Sequence, residues 1–271
     1  MLKKRLIPVL LLRNGVIVQS KGFKRYQSLG SPTAAVERLS SWAADELVYL
    51  DISPAPVYDL KRDDLNHPRF ETIIDIIRLV AERCFMPLTF GGGIRSLDDI
   101  RQRLSAGADK VTLNTKAIDD PGFISAAAKE FGSQCVVVSI DAKRVEGGWE
   151  VYRGGRTPAG MAPAAWARRV QDLGAGEILL NSIDRDGSGT GYDLDLIGEV
   201  SGAVSLPLVA LGGVGNWEHL EEGLRTRASA VAAANIFHYR ENSVFDAKRH
   251  LYEKGHNVRK PLPLQGASRN L

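Results

Sequence analysis

Short apolar runs recur along the whole chain, each followed by a segment whose apolar residues return every third or fourth position. The runs are Arg5–Leu12, Glu46–Ile52, Pro87–Phe90, Lys110–Asn114, Cys135–Asp141, Glu177–Ser182, Leu206–Leu211 and Ser229–Ala234. Continuous rather than alternating hydrophobicity suits strands buried on both faces, as in a parallel sheet covered by helices. Between the runs the pattern predicts helices over Thr33–Ser41, Thr72–Arg83, Leu97–Ala106, Gly122–Phe131, Ala164–Leu173 and Trp217–Arg225. Glycine-containing turns often close these helices before the next strand. Eight strands alternating with helices, without a break in composition, predict an α/β fold, a closed (β/α)8 TIM barrel over residues 1–259. A doubly wound open sheet is the alternative. The tail Lys260–Leu271 holds two prolines among polar residues and is expected to be poorly ordered.

The two halves of the pattern echo each other. Ala44–Leu50 parallels Ala175–Leu180 with Glu46 and Glu177 in register, Pro87–Gly93 parallels Pro207–Gly213, and Thr112–Asn114 falls opposite Ala233–Asn235. An internally duplicated half-barrel explains this most simply. The register slips in the first half, where Ser53–Phe70 forms an extra loop after the second strand. Loops after strands build the active face of such barrels, so the insertion falls where substrate specificity is set.

Composition narrows the class. The 271 residues are 44% apolar and 25% charged, with a net charge of +3 and no block of like charge, which gives nucleic acid no electrostatic footing. Cys84 and Cys135 flank apolar runs and are expected to be buried free thiols rather than a disulfide or metal site. No cofactor or metal is called for. The basic N-terminus precedes an apolar run too short for a signal peptide, and no stretch has the length of a membrane span. A cytoplasmic location is the default expectation.

Gly91–Gly93 follow the third strand and Gly212–Gly213 the seventh. Glycines there let backbone N–H groups approach a ligand, and the following helix N-terminus favours an anion. Asn114–Thr115 and Ala234–Asn235 complete two related pockets, which together suit a ligand with two phosphates. The candidate phosphate residues are Gly92, Gly93, Asn114, Thr115, Gly212, Gly213, Ala234 and Asn235. Asp186 and Gly187, within the glycine-rich stretch Asp184–Gly191, join them as part of a ligand-covering loop. The plainer reading is that these glycines only make tight turns.

The segments GGGIRS, GADK, FGSQCVVVSIDAKR, GAGEILLNSIDRDG and IFHYRE closely resemble the cyclase subunit of imidazole glycerol phosphate synthase, over Leu2 to Arg259. The resemblance implies a glutaminase partner docked on the N-terminal barrel face. Ammonia would cross the barrel to a bisphosphorylated substrate, where two aspartates, one per half, serve as general acid and base. One of them matches Asp141, at the end of the fifth strand, although a solvated turn aspartate is the competing reading. The other position holds Leu11, which can neither take nor give a proton, so no second carboxylate divides the work. The family's active-site lysine falls on Gln19, with Lys21 nearby, a serine on Leu211 and a threonine on Asn181.

The opposite face matches throughout. Arg5, Glu46, Lys110 and Glu177 fall on the family's ammonia gate, and each opens a strand run, where two cations and two anions can close a salt-bridge ring. Asp109 and Gln134 match positions that face the glutaminase. A charged layer there can also serve stability alone. A retained gate under a changed active face resembles divergent paralogues of surface-polysaccharide loci, in which a third protein, a sugar amidotransferase, supplies the activation chemistry. The alternatives are the histidine-pathway cyclase itself and a non-catalytic scaffold that activates a glutaminase.

Overall fold

The computed structural model describes residues 2–59, 70–239 and 241–261. Its strands are β1 (Arg5–Arg13), β2 (Val16–Lys21), β3 (Arg25–Gly30), β4 (Leu47–Asp51), β5 (Leu88–Gly91), β6 (Lys110–Leu113), β7 (Val136–Val145), β8 (Gly148–Arg153), β9 (Thr157–Pro158), β10 (Glu177–Ser182), β11 (Leu208–Leu211) and β12 (Ala230–Ala233). Eight of them run parallel in the ring β1-β4-β5-β6-β7-β10-β11-β12, with β12 pairing back onto β1. Closure rules out the open-sheet alternative, and helices separate the successive strands of a (β/α)8 barrel. All eight expected runs are barrel strands. The Glu177–Ser182 run and the Gly122–Phe131 and Trp217–Arg225 helices have the expected bounds.

Side-chain alternation divides the apolar residues into two bodies. The larger lies between the sheet and the helices and takes Leu6, Leu10, Leu47, Phe90, Val111 and Val138. The smaller fills the barrel with Ile7, Val9, Val48, Val137, Leu179 and Val209, and β12 adds only Ala230 and Ala232. Helix starts are fixed locally: Thr72 with Asp75, and Ser96 with Asp99, form capping boxes. The last helix, Ser243–Glu253, is tied to the start of the barrel by buried Lys248, which meets Asp45 at 2.7 Å.

Two hairpins are additions to the pattern read from the sequence. β2 and β3 extend antiparallel from β1, and β8 and β9 extend in the same way from β7. Each half therefore carries one hairpin on its first strand, as a duplication requires. The strand registers correct one detail of that duplication. Thr89 pairs with Lys110 as Val209 pairs with Ala230, so Asn114 corresponds to Ala234 and Thr115 to Asn235, one residue from the alignment of Thr112–Asn114 with Ala233–Asn235. Backbone angles agree, since Asn114 and Ala234 share φ and ψ near −129°, −89° and −104°, −76°. The cysteines also differ from expectation: both are free, but each is only half-buried. Most of the Ser53–Phe70 insertion, residues 60–69, and most of the tail, residues 262–271, lie outside the described residues.

Candidate functional site

At the N-terminal face four charges form a closed ring. Arg5 meets Glu46 at 2.6 Å and Glu177 at 2.5 Å, and Lys110 meets the same two carboxylates at 3.1 and 3.0 Å. Each carboxylate thus lies between two cations. Burial works against the Arg5 charge, but Glu177 and then Glu46 outweigh it and raise its pKa. Asp109 and Gln134 are exposed on this same face. Asp109 has a structural duty as well, accepting the Leu88 N–H at 2.8 Å.

Inside the barrel, the side from β5 to β7 is more polar than the rest. Thr89, Thr112 and Ser139 are buried, and alternation turns them inward with Lys110 below and Asp141 above. The Thr112 hydroxyl is buried without a hydrogen-bond partner. The opposite wall presents Ala230 and Ala232, so the polar seam is one-sided.

Asp141 and Leu11 occupy matching places at the C-terminal mouth. Leu11 pairs with Val18 of the first hairpin and Leu50 of β4, whereas Asp141 pairs with Tyr152 of the second hairpin and Asn181 of β10. The contents of the two places differ. Asp141 is buried and accepts hydrogen bonds from the Asn181 and Asn114 amides at 3.2 and 3.1 Å. Burial raises its pKa to about 6; Asn181 opposes this, the Asp186 charge adds to it, and Asn114 and the Gly155 N–H oppose it. A carboxyl of that kind can both accept and return a proton near neutrality. Leu11 instead packs with Leu50 against the apolar filling of the barrel. Gln19 is buried and donates to Gln27 at 2.7 Å, while Lys21 is exposed. Leu211 is buried in the same apolar body.

The two glycine turns lie across the mouth from each other, after β5 and β11. At Gly92 a Cβ would stand 2.0 Å from the Asp51 carbonyl oxygen, and at Gly213 it would stand 2.1 Å from that of Gly191. Both turns therefore need glycine for close backbone approach, whatever they bind. In the first half Asn114 is occupied by Asp141, the Ser139 carbonyl and the Gly154 N–H, and Thr115 opens the helix Thr115–Asp119. In the second half the covering loop is docked: Gly191 N–H donates to Gly213, and Asp186 accepts from the Ser20 hydroxyl and the Phe23 N–H. Gly187 lies against Ser20 and Lys21. The Asn235 amide nitrogen donates to Ser20, but its oxygen is buried without a partner, as is the Ser182 hydroxyl. Gly212 sits beside Asn181 and Ser182, and Ala234 begins the turn at Asn235–His238.

The family described as histidine biosynthesis protein matches residues 5–243. The chain belongs to that family. The match spans the barrel from Arg5, at the start of β1, to Ser243, the first residue of the last helix. Three residues of this family member's mouth escaped the reading of the sequence. Asp51 ends β4 and accepts from Ser53 and, at 2.6 Å, from the Tyr58 hydroxyl. Arg103 is buried beneath the first glycine turn. Asp51 could have been noticed as a carboxylate ending a strand run, as Asp141 was. Arg103 carries no such signal, because it reads as one more basic residue on a polar helix face. Among the described residues no helix is long and apolar enough to cross a membrane.

Proposed function

We propose that the chain is the synthase barrel of a glutamine-dependent amidotransferase system. It receives ammonia from a glutaminase docked on its N-terminal face and passes it to an acceptor at the C-terminal mouth. The acceptor is a sugar of surface-polysaccharide synthesis, carrying phosphate, with the amidation completed by a separate sugar amidotransferase. The observation that carries the reading is the pairing of a closed Arg5–Glu46–Lys110–Glu177 ring with a mouth in which Leu11 faces Asp141. The hydroxyls of Thr89, Thr112 and Ser139 offer a small polar molecule hydrogen-bonding partners between ring and mouth. The exposed side chains of Leu2 and Phe85, 94% and 91% accessible, support a docking role for the N-terminal end. The test is to combine the chain with its glutaminase partner, the sugar amidotransferase and the phosphorylated sugar acceptor, and to supply amide-15N glutamine. The reading expects label in the acceptor product, and expects Lys110→Met to leave glutamine hydrolysis running while label transfer falls. Equal label transfer by Lys110→Met would contradict the conduit.

A second reading, the imidazole glycerol phosphate synthase cyclase of histidine biosynthesis, is favoured by the raised pKa of Asp141. One carboxyl that titrates near pH 6 could take both proton-transfer roles in turn, with a water supplying what Leu11 lacks. That reading expects ammonium-dependent ring formation abolished by Asp141→Asn. A scaffold that only activates a glutaminase expects stimulation of hydrolysis that survives every gate substitution.

A further inference from the structure

The two glycine turns are equivalent by register but are supported by different residues. Beneath the first lies Arg103, on the helix Leu97–Ser105, with its side chain only 6% exposed. Its Nη2 donates to the Gly92 carbonyl at 3.0 Å and its Nη1 to the Asp99 carbonyl at 3.0 Å, while Nε is buried without a partner. The nearest ion-pair oxygen, on Asp99, is 4.0 Å away, and the other oxygen of that carboxylate is taken by the capping box. The Asp51 carboxylate is engaged by Ser53 and Tyr58. A buried guanidinium so weakly balanced retains positive charge directed at the turn.

The geometry of one peptide unit turns that charge toward a ligand. The C=O of Gly92 and the N–H of Gly93 belong to the same trans peptide and point in opposite directions. Arg103 holds the C=O on the helix side, so the N–H is presented on the other side. Among the described residues the Gly93 N–H has no partner in the chain. Among the described residues the second half has no buried cation at the equivalent place; Arg185 passes beside Gly213 but is half-buried and donates to Thr190. The equivalent helix is Trp217–Arg225, where Gly223 stands at the place of Arg103 and Tyr192 leaves no room for a side chain.

We propose that Arg103 is the positioning cation of a phosphate subsite at the Gly92–Gly93 turn, and that this turn binds phosphate more tightly than the Gly212–Gly213 turn does. The inference rests on the reading of the first-half glycine turn as a phosphate site. It assigns the two anion pockets unequal strengths, the first reinforced by a buried charge and the second held by the backbone of a docked loop.

The test uses the full 15N-labelled chain titrated with inorganic phosphate, with the Gly93 and Gly213 amides reporting the two turns separately. In the wild type the Gly93 signal should move and saturate. In Arg103→Met its apparent affinity should fall about tenfold or more, as expected for losing a charged partner, while Gly213 behaves as before. Arg103→Lys, which keeps a charge and a donor, should recover part of the loss. A generally damaged fold would move both reporters and give no such rescue. If Arg103→Met does not fold, Arg103→Gln is read in its place with the same expectation. Affinity at Gly93 within twofold of wild type in a folded, uncharged variant would overturn the role of Arg103 alone. A wild-type Gly93 amide that ignores phosphate would instead remove the phosphate reading on which the inference stands.

Discussion

Two positions at the barrel mouth, related by the internal duplication, now carry opposite chemistry. Asp141 sits among amide donors with a pKa raised by burial, while Leu11 extends the apolar filling of the barrel. The raised value has a consequence for stability. Between its ordinary 3.8 and about 6, the folded chain holds a proton that the unfolded chain has released. Stability therefore falls as pH rises through that window, and the full penalty is present above it. Asp141→Asn should stabilise the fold by roughly 1–3 kcal/mol at pH 8 and by little at pH 4, measured by urea unfolding at both pH values. Equal effects at the two pH values would mean that its surroundings do not raise the pKa of this carboxyl. Placing a carboxylate at the other position tests its surroundings. Leu11→Asp should lose stability by about 1–3 kcal/mol, because its neighbours Leu50 and Val18 offer no polar side chain to receive it.

At the scale of elements, the barrel strands were legible because each is buried on both faces and reads as an unbroken apolar run. The hairpins were not. Val16–Lys21 continues the apolar run of β1, and Arg25–Gly30 is largely polar and exposed, so neither shows a clean strand pattern. The signal that could have separated them is Asn14–Gly15, a dipeptide whose residues take φ of 50° and 80° and reverse the chain into β2. The slip in aligning β6 with β12 has a related cause. Ala230–Ala233 is nearly featureless, and only hydrogen-bond register distinguishes one alanine from the next. The last helix escaped the pattern too, although its buried Lys248 closes the barrel onto Asp45. Lys248→Met leaves the Asp45 carboxylate with the Leu6 N–H and a remote Arg259. We expect a loss of about 3–5 kcal/mol and a clearly lower Tm by calorimetry. An unchanged Tm would show that the clasp adds nothing.

Across the whole molecule the two faces of the barrel differ in chemistry, a closed ring of charge at one end and an asymmetric mouth at the other. The charged ring was legible in the sequence because its four members each open a strand run, and the fold brings them within hydrogen-bonding reach. The active face was legible only in part. Leu11 and Asp141 stand at strand ends that can be aligned, whereas Arg103 and Tyr58 reach the mouth from a helix and a loop, by contacts no spacing announces. Docking belongs to this scale as well. Phe85→Asp, on a side chain that contributes little to the fold, should weaken a glutaminase complex by tenfold or more in an equilibrium binding measurement, with the fold unaltered. Unchanged affinity would move the partner away from that corner of the face. The central claim is that the barrel keeps the conduit and has lost ring-forming chemistry. Its most direct test is to incubate the purified wild-type chain with the bisphosphorylated cyclase substrate and ammonium salt, and to measure imidazole glycerol phosphate. The account predicts none above the uncatalysed background, and sustained ammonium-dependent turnover would contradict it.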